Sequence, residues 1–280
     1  MSSEHLTIKE IEKLGYYDFM AYLEVPFFNI GGTPSVDILA ERCKIDEKSH
    51  LLEVGCGTGG NAAFIAERYG CRVTGIDIST LMIEQAKRRA SKLDNLQLDF
   101  HVGDAYSLDF PDDSFDVVLT IFVSQFLDID RAFLEFLRVL KPGGYLGVNE
   151  MYRQTEVPEK LVEQVDDAEK AFRDLTDLPF RLRPPDEYKR GFEASGFTDV
   201  NVESFSKFLD MSSGLRMVKE IGGWRKLFRL LWRTAELGLT SKKIWERYAR
   251  IDRAKKTMIR DKETSKYFGY VIGVGRKPLE

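Results

Sequence analysis

Apolar positions along the chain change period repeatedly, and each change marks an element. "GGTPSVDILAERCK" (31–44) puts Val36, Leu39 and Ala40 on one helical face, with Thr33 as the expected N-cap and Pro34 at the first helical position. "HLLEVG" then reads as a short apolar strand ending in glycine, and "GNAAFIAERYG" as a helix closed by Gly70. "CRVTGIDIS" is a second strand, followed by a second helix over "STLMIEQAKRRASKL" with Leu81, Met82 and Ala86 on one side. "LQLDFHVGDA" alternates as a third strand, and "PDDSFDVVLTIF" is a turn leading into a fourth. "DIDRAFLEFLRVLKPGG" is a strongly amphipathic helix stopping at Pro142-Gly143-Gly144, and "YLGVNE" is a fifth strand. Strands alternating with helices over residues 50–150 predict a parallel, doubly wound α/β sheet.

The flanks are less regular. The first fifty residues read as helices preceding the core. Beyond the fifth strand, "VPEKLVEQVDDAEKAFRDL" is helical, "PPDEYKRGFEASGF" is a short helix opened by prolines, and "TDVNVESF" is a strand. About sixty residues of helical character, too many for a turn, precede a last strand in "YFGYVIGVGRKP". The expected organisation is a helical cap at 1–48 and a core at 49–205 with a helical insertion near 151–180. A basic helical insertion or lid follows at 206–265, and a terminal strand of the core at 266–280.

Composition narrows the class. The chain has 280 residues, 43% hydrophobic and 31% charged, which suits one large α/β domain with an elaboration. No run of eighteen apolar residues occurs, and "MSSEHLTIKEIEKLGYYDF" lacks the apolar stretch of a secretory signal. Cys43, Cys56 and Cys71 are far apart, so neither a metal site nor a disulfide framework is expected, and a reducing cytoplasm fits. The net charge of −4 hides an asymmetry: Arg216 to Lys262 holds 15 Lys/Arg against 5 Asp/Glu, while the remainder holds 26 against 40. Trp224, Trp232 and Trp245, all the tryptophans of the chain, lie in that basic window.

The first strand runs into Gly55, Gly57 and Gly60, a G-x-G-x-x-G spacing. Such a turn lets the backbone bend sharply and a ligand approach without a Cβ in the way. The glycines alone do not choose a cofactor. Glu53 would repel a pyrophosphate but suits an ammonium group. Asp77, 20 residues after Gly57 at the end of the second strand, can accept hydrogen bonds from both ribose hydroxyls. Asp104-Ala105 follows the third strand, where a carboxylate can take a hydrogen bond from an adenine amine.

Together "LLEVGCGTGG", "VTGIDIS", "GDAYSLDF" and "LKPGGYL" resemble the motifs of class I S-adenosylmethionine-dependent methyltransferases of the small-molecule type. The resemblance covers roughly residues 34–205 and the terminal strand. It implies a Rossmann-like, seven-stranded, mostly parallel sheet with its last strand antiparallel, elaborated by helical lid insertions. It implies S-adenosyl-L-methionine as cofactor, with Glu53 facing the amino group and Gly55 and Gly57 offering backbone to the methionine part. Asp77 would bind the ribose diol, Ile78 would pack on adenine, and Asp104 and Ala105 would read the adenine edge. Thr120, Ile121 and Gln125 would face the methionine moiety. The family has no universal catalytic residue, because the methyl group is already activated and mainly needs a nucleophile placed in line with it.

Two regions bear on the acceptor. "LGYYDFMAYLEVPFFNIGG" carries Tyr16, Tyr17, Tyr22, Phe27 and Phe28, and reads either as an aromatic lid or as helix packed on the core; Tyr17 and Asn29 are its candidates for contact. In 222–262, Trp224, Leu227, Phe228, Leu231 and Ala235 recur at helical spacing beside Arg225, Arg229 and Arg233. That helix can pack on the domain, cover a bulky substrate through Trp224, or lie on an anionic membrane. The expected function is methylation of a small molecule, either apolar and lipid-like (quinone, isoprenoid, lipid) or a small amine, with no DNA partner. RNA or protein methylation, or S-adenosylmethionine binding without catalysis, are the alternatives.

Overall fold

The computed structural model describes residues 6–25, 31–206, 218–219 and 221–280. Seven strands form one sheet: β1 His50–Val54, β2 Arg72–Asp77, β3 Leu98–Val102, β4 Phe115–Ile121, β5 Leu140–Arg153, β6 Thr198–Phe205 and β7 Phe268–Arg276. Their order is β3-β2-β1-β4-β5-β7-β6. β1 to β5 are mutually parallel, and β7 runs antiparallel between β5 and β6. The chain winds from β1 outward through β2 and β3, then returns to β4 on the other side. The crevice between the carboxyl ends of β1 and β4 is therefore where a ligand binds in sheets of this kind.

Ten α-helices accompany the sheet among the described residues: α1 Ile8–Ile11, α2 Tyr16–Tyr22, α3 Gly32–Arg42, α4 Gly60–Tyr69, α5 Thr80–Ala90, α6 Ile129–Val139, α7 Glu159–Thr176, α8 Pro185–Ala194, α9 Trp224–Thr240 and α10 Lys242–Lys255. The sheet core has two sides. Val36, Leu39, Ile65 and Ile83 of α3, α4 and α5 cover one face, and Phe133, Phe136, Tyr188 and Phe192 of α6 and α8 cover the other. β4 is apolar at nearly every position because both of its faces are buried, whereas the edge strand β6 alternates. Cys43, Cys56 and Cys71 are buried free thiols.

Two boundaries differ from the sequence pattern. α3 begins at Gly32 behind Gly31 at φ 93°, so Thr33 is no cap and Pro34 sits inside the first turn. Proline is accepted there because the first-turn N–H groups have no helical acceptor. α6 ends at Val139, and β5 starts at Leu140 and runs on to Arg153, absorbing "LKPGG" and the start of the expected insertion. Its antiparallel partner β7 explains the length: Tyr145 to Arg153 pair with Arg276 to Phe268 without a break.

The helical cap and the basic segment belong together in space. Ile11, Phe19, Leu23, Leu237 and Ile244 form one apolar cluster, joining α1 and α2 to α9 and α10. Arg247 of α10 donates to the carbonyls of Glu12 (3.3 Å) and Leu14 (2.8 Å), and Ser241 Oγ donates to Glu12 Oε1 at 2.6 Å. α9 does not pack through the stripe that its sequence advertises. Leu230 and Leu237 face inward with the Arg233 guanidinium 4.0 Å over the Tyr22 ring, while Trp224, Phe228 and Leu231 are exposed. Among the described residues no helix is long and apolar enough to cross a membrane.

Candidate active site

After β1 the chain turns through Gly55, Gly57 and Gly59, at φ 70°, 53° and 72°, before α4 begins. A side chain is strained at such angles, and a Cβ on Gly55 would also collide with Val123 beyond β4. The turn is tied to β2: Cys56 N–H donates to the Ile76 carbonyl at 2.9 Å, and Gly57 N–H to Asp77 Oδ2 at 2.9 Å. Asp77 Oδ1 accepts the Ser79 N–H at 2.9 Å. Burial pushes the Asp77 pKa up, against the pull of these backbone donors. Each carboxylate oxygen has two lone pairs, so these backbone bonds leave capacity for a diol.

Beside Asp77, Ile78 is 76% exposed, and Val102, opposite Asp77 in the β2–β3 ladder, is 54% exposed. Asp104 is exposed, with Oδ1 accepting the Tyr106 N–H at 2.9 Å, and Ala105 is half-buried against the core. Two open apolar side chains next to a buried carboxylate make a shelf that could take a flat ring with its hydroxyls toward Asp77.

Glu53 lies on β1 with 1% of its surface exposed. It is hydrogen-bonded to the Asn61 side chain and the Ala62 N–H, and its Oε2 has no partner. Burial pushes its pKa up to about 8. A buried carboxyl oxygen without a donor is costly, and a cationic ligand group is the natural remedy.

The β4–β5 side is built differently. Thr120 and Ile121 are buried, and Thr120 Oγ1 lies 2.8 Å from Ser124 Oγ. Phe122 follows at φ 65°, which reverses the chain into Ser124 and Gln125. The Ser124 N–H donates to Glu150 Oε1 at 2.9 Å. Glu150 is fully buried, its Oε2 lacks a partner, and burial pushes its pKa to about 7. Gln125 is turned inward: its Nε2 donates to the Phe122 carbonyl at 3.1 Å and its Oε1 accepts the Met151 N–H at 3.4 Å. Both ends are engaged because the reversal after β4 leaves backbone groups that need partners, so Gln125 braces the turn and does not face outward.

α2 lies across this edge. The Ser79 hydroxyl donates to Asp18 Oδ1 at 2.5 Å, and the Thr58 hydroxyl to the Val25 carbonyl at 3.0 Å. Tyr17 is half-buried with its hydroxyl shielded from solvent, edge-on to Phe126 at 5.5 Å, and that hydroxyl lies in the field of Asp77 and Glu150. Desolvation above all, with those charges, raises its pKa well above the usual phenol value, so Tyr17 is a neutral hydrogen-bond donor at physiological pH. Beyond Phe126 the wall is apolar: Phe122, Met151, Phe172 and Phe180 share one cluster.

The fold thus gathers Glu53, Gly55, Gly57, Asp77 and Tyr17, with Ile78, Asp104 and Ala105 at the rim. Trp224 is elsewhere, 55% exposed on α9 beside Phe228, and Asn29 lies outside the described residues. Glu150, Asp18 and Ser79 are additions. An acid closing the apolar strand "YLGVNE" was the available signal for Glu150. The Asp18–Ser79 clamp joins residues 61 apart and has no local signal. Among the described residues no group of three or more His, Cys, Asp or Glu side chains could hold a metal ion.

Residues 52–148 match the family model described as a methyltransferase domain. Over these residues the chain is a class I S-adenosylmethionine-dependent methyltransferase domain. Phosphoethanolamine N-methyltransferase 1 of Arabidopsis thaliana is 30% identical over 180 residues, which are 63% of this chain and 34% of that protein. Phthiotriol/phenolphthiotriol dimycocerosates methyltransferase 1 of Mycobacterium ulcerans is 32% identical over 188 residues, 64% of this chain and 65% of that protein. The matches thus span less than two thirds of either relative. Among solved structures, the [4+2]-cyclase SpnF superposes with a TM-score of 0.70 at 24% identity, over 98% of this chain and 97% of that one. That likeness concerns the fold. The sheet order, with β7 antiparallel, agrees with the architecture expected from the motifs. The cofactor of this family is S-adenosylmethionine.

Proposed function

We propose that the chain transfers the methyl group of S-adenosylmethionine to a small apolar molecule. The observation that carries the cofactor assignment is the unpartnered, buried Glu53 oxygen under the glycine turn, one strand away from Asp77. Glu53 would take the ammonium group, Gly55 and Gly57 would let the backbone approach the methionine chain, and Asp77 would accept from the ribose diol. Ile78 would support the adenine, with Asp104 and Ala105 at its edge. Thr120 and Ile121 would act from beneath, as buried floor.

S-adenosylmethionine supplies a methyl group on a cationic sulfur, so the protein's task is placement and dryness. α2 provides both, because the Asp18–Ser79 bond holds Tyr17 across the strand ends. Tyr17 keeps its proton and can donate to an acceptor oxygen. Glu150 titrates near neutrality and is the side chain suited to hold a proton, should the acceptor need to lose one. The aromatic wall from Phe126 to Phe180 favours an apolar acceptor over a small amine. The relative named for phthiotriol fits that reading, and the one named for phosphoethanolamine supports the amine.

A second reading has its own support, since a protein of nearly the same extent and fold is named a cyclase. Binding of S-adenosylmethionine without methyl transfer is that alternative. Incubation with the cofactor and a panel of quinols, isoprenoids, phenols and small amines, followed by S-adenosylhomocysteine, separates the readings. Turnover confined to apolar acceptors is the expected result. Tight cofactor binding with no product from any acceptor would favour the alternative.

A further inference from the structure

α9 presents a continuous apolar stripe to solvent. At 100° per residue, Trp224, Phe228, Leu231, Trp232, Ala235 and Leu239 fall within an arc of about 100°. Every one of them is exposed, from 55% at Trp224 and Leu231 to 75% at Trp232 and 88% at Leu239. Trp245 of α10, 62% exposed, continues the surface: its ring lies against Gly238, where a Cβ would come within 3.1 Å. Six of the twelve exposed large apolar side chains among the described residues sit on these two helices. Single exposed apolar residues need no explanation, but a patch of this kind marks an interaction surface.

Charge selects the occupant. Arg225 and Arg229 lie on the arc adjoining Trp232, both exposed. Lys242 and Lys243 open α10, with side chains 89% and 78% exposed. Residues 216–262 carry a charge excess of +10 in a chain whose other residues sum to −14. An acidic body bearing one basic, tryptophan-rich face is oriented by an anionic plane. We infer that α9 and α10 form a docking face for an anionic lipid surface, with α9 lying in the interface plane. At 17 residues α9 is about 25 Å long, suited to lie along the headgroup region. Indole rings and arginine stems suit that boundary, since each has an apolar body and a polar end. A nucleic acid would use the cations and leave the Phe228–Leu231–Leu239 ridge in water. The opposite face of α9 meets α2 through Tyr22 and Phe19, so the docked surface and the helix carrying Tyr17 form one packed unit.

The chain reports on its own docking, because all three tryptophans are on this face. Vesicles of phosphatidylcholine with about one third phosphatidylserine are titrated into the protein without cofactor or acceptor, so the outcome is independent of methyl transfer. Tryptophan emission should shift to the blue and the protein should sediment with the vesicles. Pure phosphatidylcholine should bind at least about tenfold more weakly. Phe228→Ser with Trp232→Ser should lower the partition coefficient at least about tenfold, and Arg225→Gln with Arg229→Gln should lower it less and reduce its salt dependence. Circular dichroism on both variants establishes that they are folded. No vesicle binding by the native chain overturns the inference, as does binding that neither variant weakens. A dimer or a protein complex that needs the stripe, in the absence of vesicle binding, overturns it in favour of a protein partner.

Discussion

The glycine turn with Asp77 and the α9–α10 face are opposite kinds of surface. At the turn, polar groups are buried and paired one by one: Gly57 and Ser79 donate to Asp77, and Asp18 accepts from Ser79. On α9 the large apolar groups are out and an arginine is in, stacked on Tyr22. The first region satisfies almost every group internally and leaves a few acceptors, notably Glu53 Oε2, open to a small cation. The second leaves a broad area unsatisfied. A small ligand completes a site of the first kind, whereas only an extended surface covers the second.

The sharpest way to break the turn is to give Gly55 a side chain. Gly55→Val adds left-handed strain of about 1–2 kcal/mol and a collision with Val123, where overpacking costs about 1–3 kcal/mol. Calorimetric unfolding should show a loss of both, with S-adenosylmethionine binding gone. Adding Val123→Ala should recover the packing part and leave the strain. Full recovery would mean that the left-handed turn is not a requirement of the site.

On the other side, the packed face of α9 can be tested apart from its open face. Leu237 is 5% exposed in the cluster with Ile11, Phe19 and Ile244. Leu237→Ala should cost roughly 2–4 kcal/mol in a chemical denaturation series. Because that cluster supports α2, the variant should also weaken cofactor binding. A stable variant with intact binding would show that α9 rests on the cap without supporting it.

Legibility followed the range of the interactions. The strand–helix alternation, the glycine turn and Asp77 announce themselves within windows of about twenty residues, because local backbone chemistry demands those residue types. The orientation of Gln125 has no local signal, since it depends on Phe122 adopting φ 65° and on Met151 across the sheet. Glu150 enters the site through its bond to Ser124, 26 residues earlier in the chain. The stripe on α9 was visible as a pattern, but the pattern cannot say which of two apolar faces turns inward. Leu230 and Leu237 won because Phe19, Tyr22 and Ile11 meet them there.

Protonation gives a finer test of the turn. Glu53 has a folded-state pKa of about 8 against an ordinary 4.5. The folded chain therefore holds a proton that the unfolded chain releases above pH 4.5. This contribution to stability is fully present below the unfolded value and is lost as pH rises through about 8. Glu53→Gln lacks the dependence, so it should gain stability relative to the native chain between those limits. Cofactor binding should ionise Glu53 beside the ammonium group. Calorimetry at pH 7 in buffers of different ionisation enthalpy should then show release approaching about one proton. In Glu53→Gln that release should vanish, with affinity about tenfold lower. Binding without proton release would place the ammonium elsewhere.

The smallest expected effect is on the open face. Phe228→Ser and Trp232→Ser remove large apolar groups, which in a core would cost about 3–5 kcal/mol each. These side chains are 66% and 75% exposed, so each change should alter unfolding free energy by no more than about 0.5 kcal/mol. Some of each indole or phenyl ring does touch its neighbours, as Phe228 does Trp224 at 6.3 Å between centroids, so a small loss is expected. Cofactor affinity should not change, because none of the groups around Asp77 or Glu53 comes from this face. A loss comparable with that of Leu237→Ala would mean that the protein itself covers the stripe in solution. The contrast between a paired site and an open surface would then collapse into two packed regions.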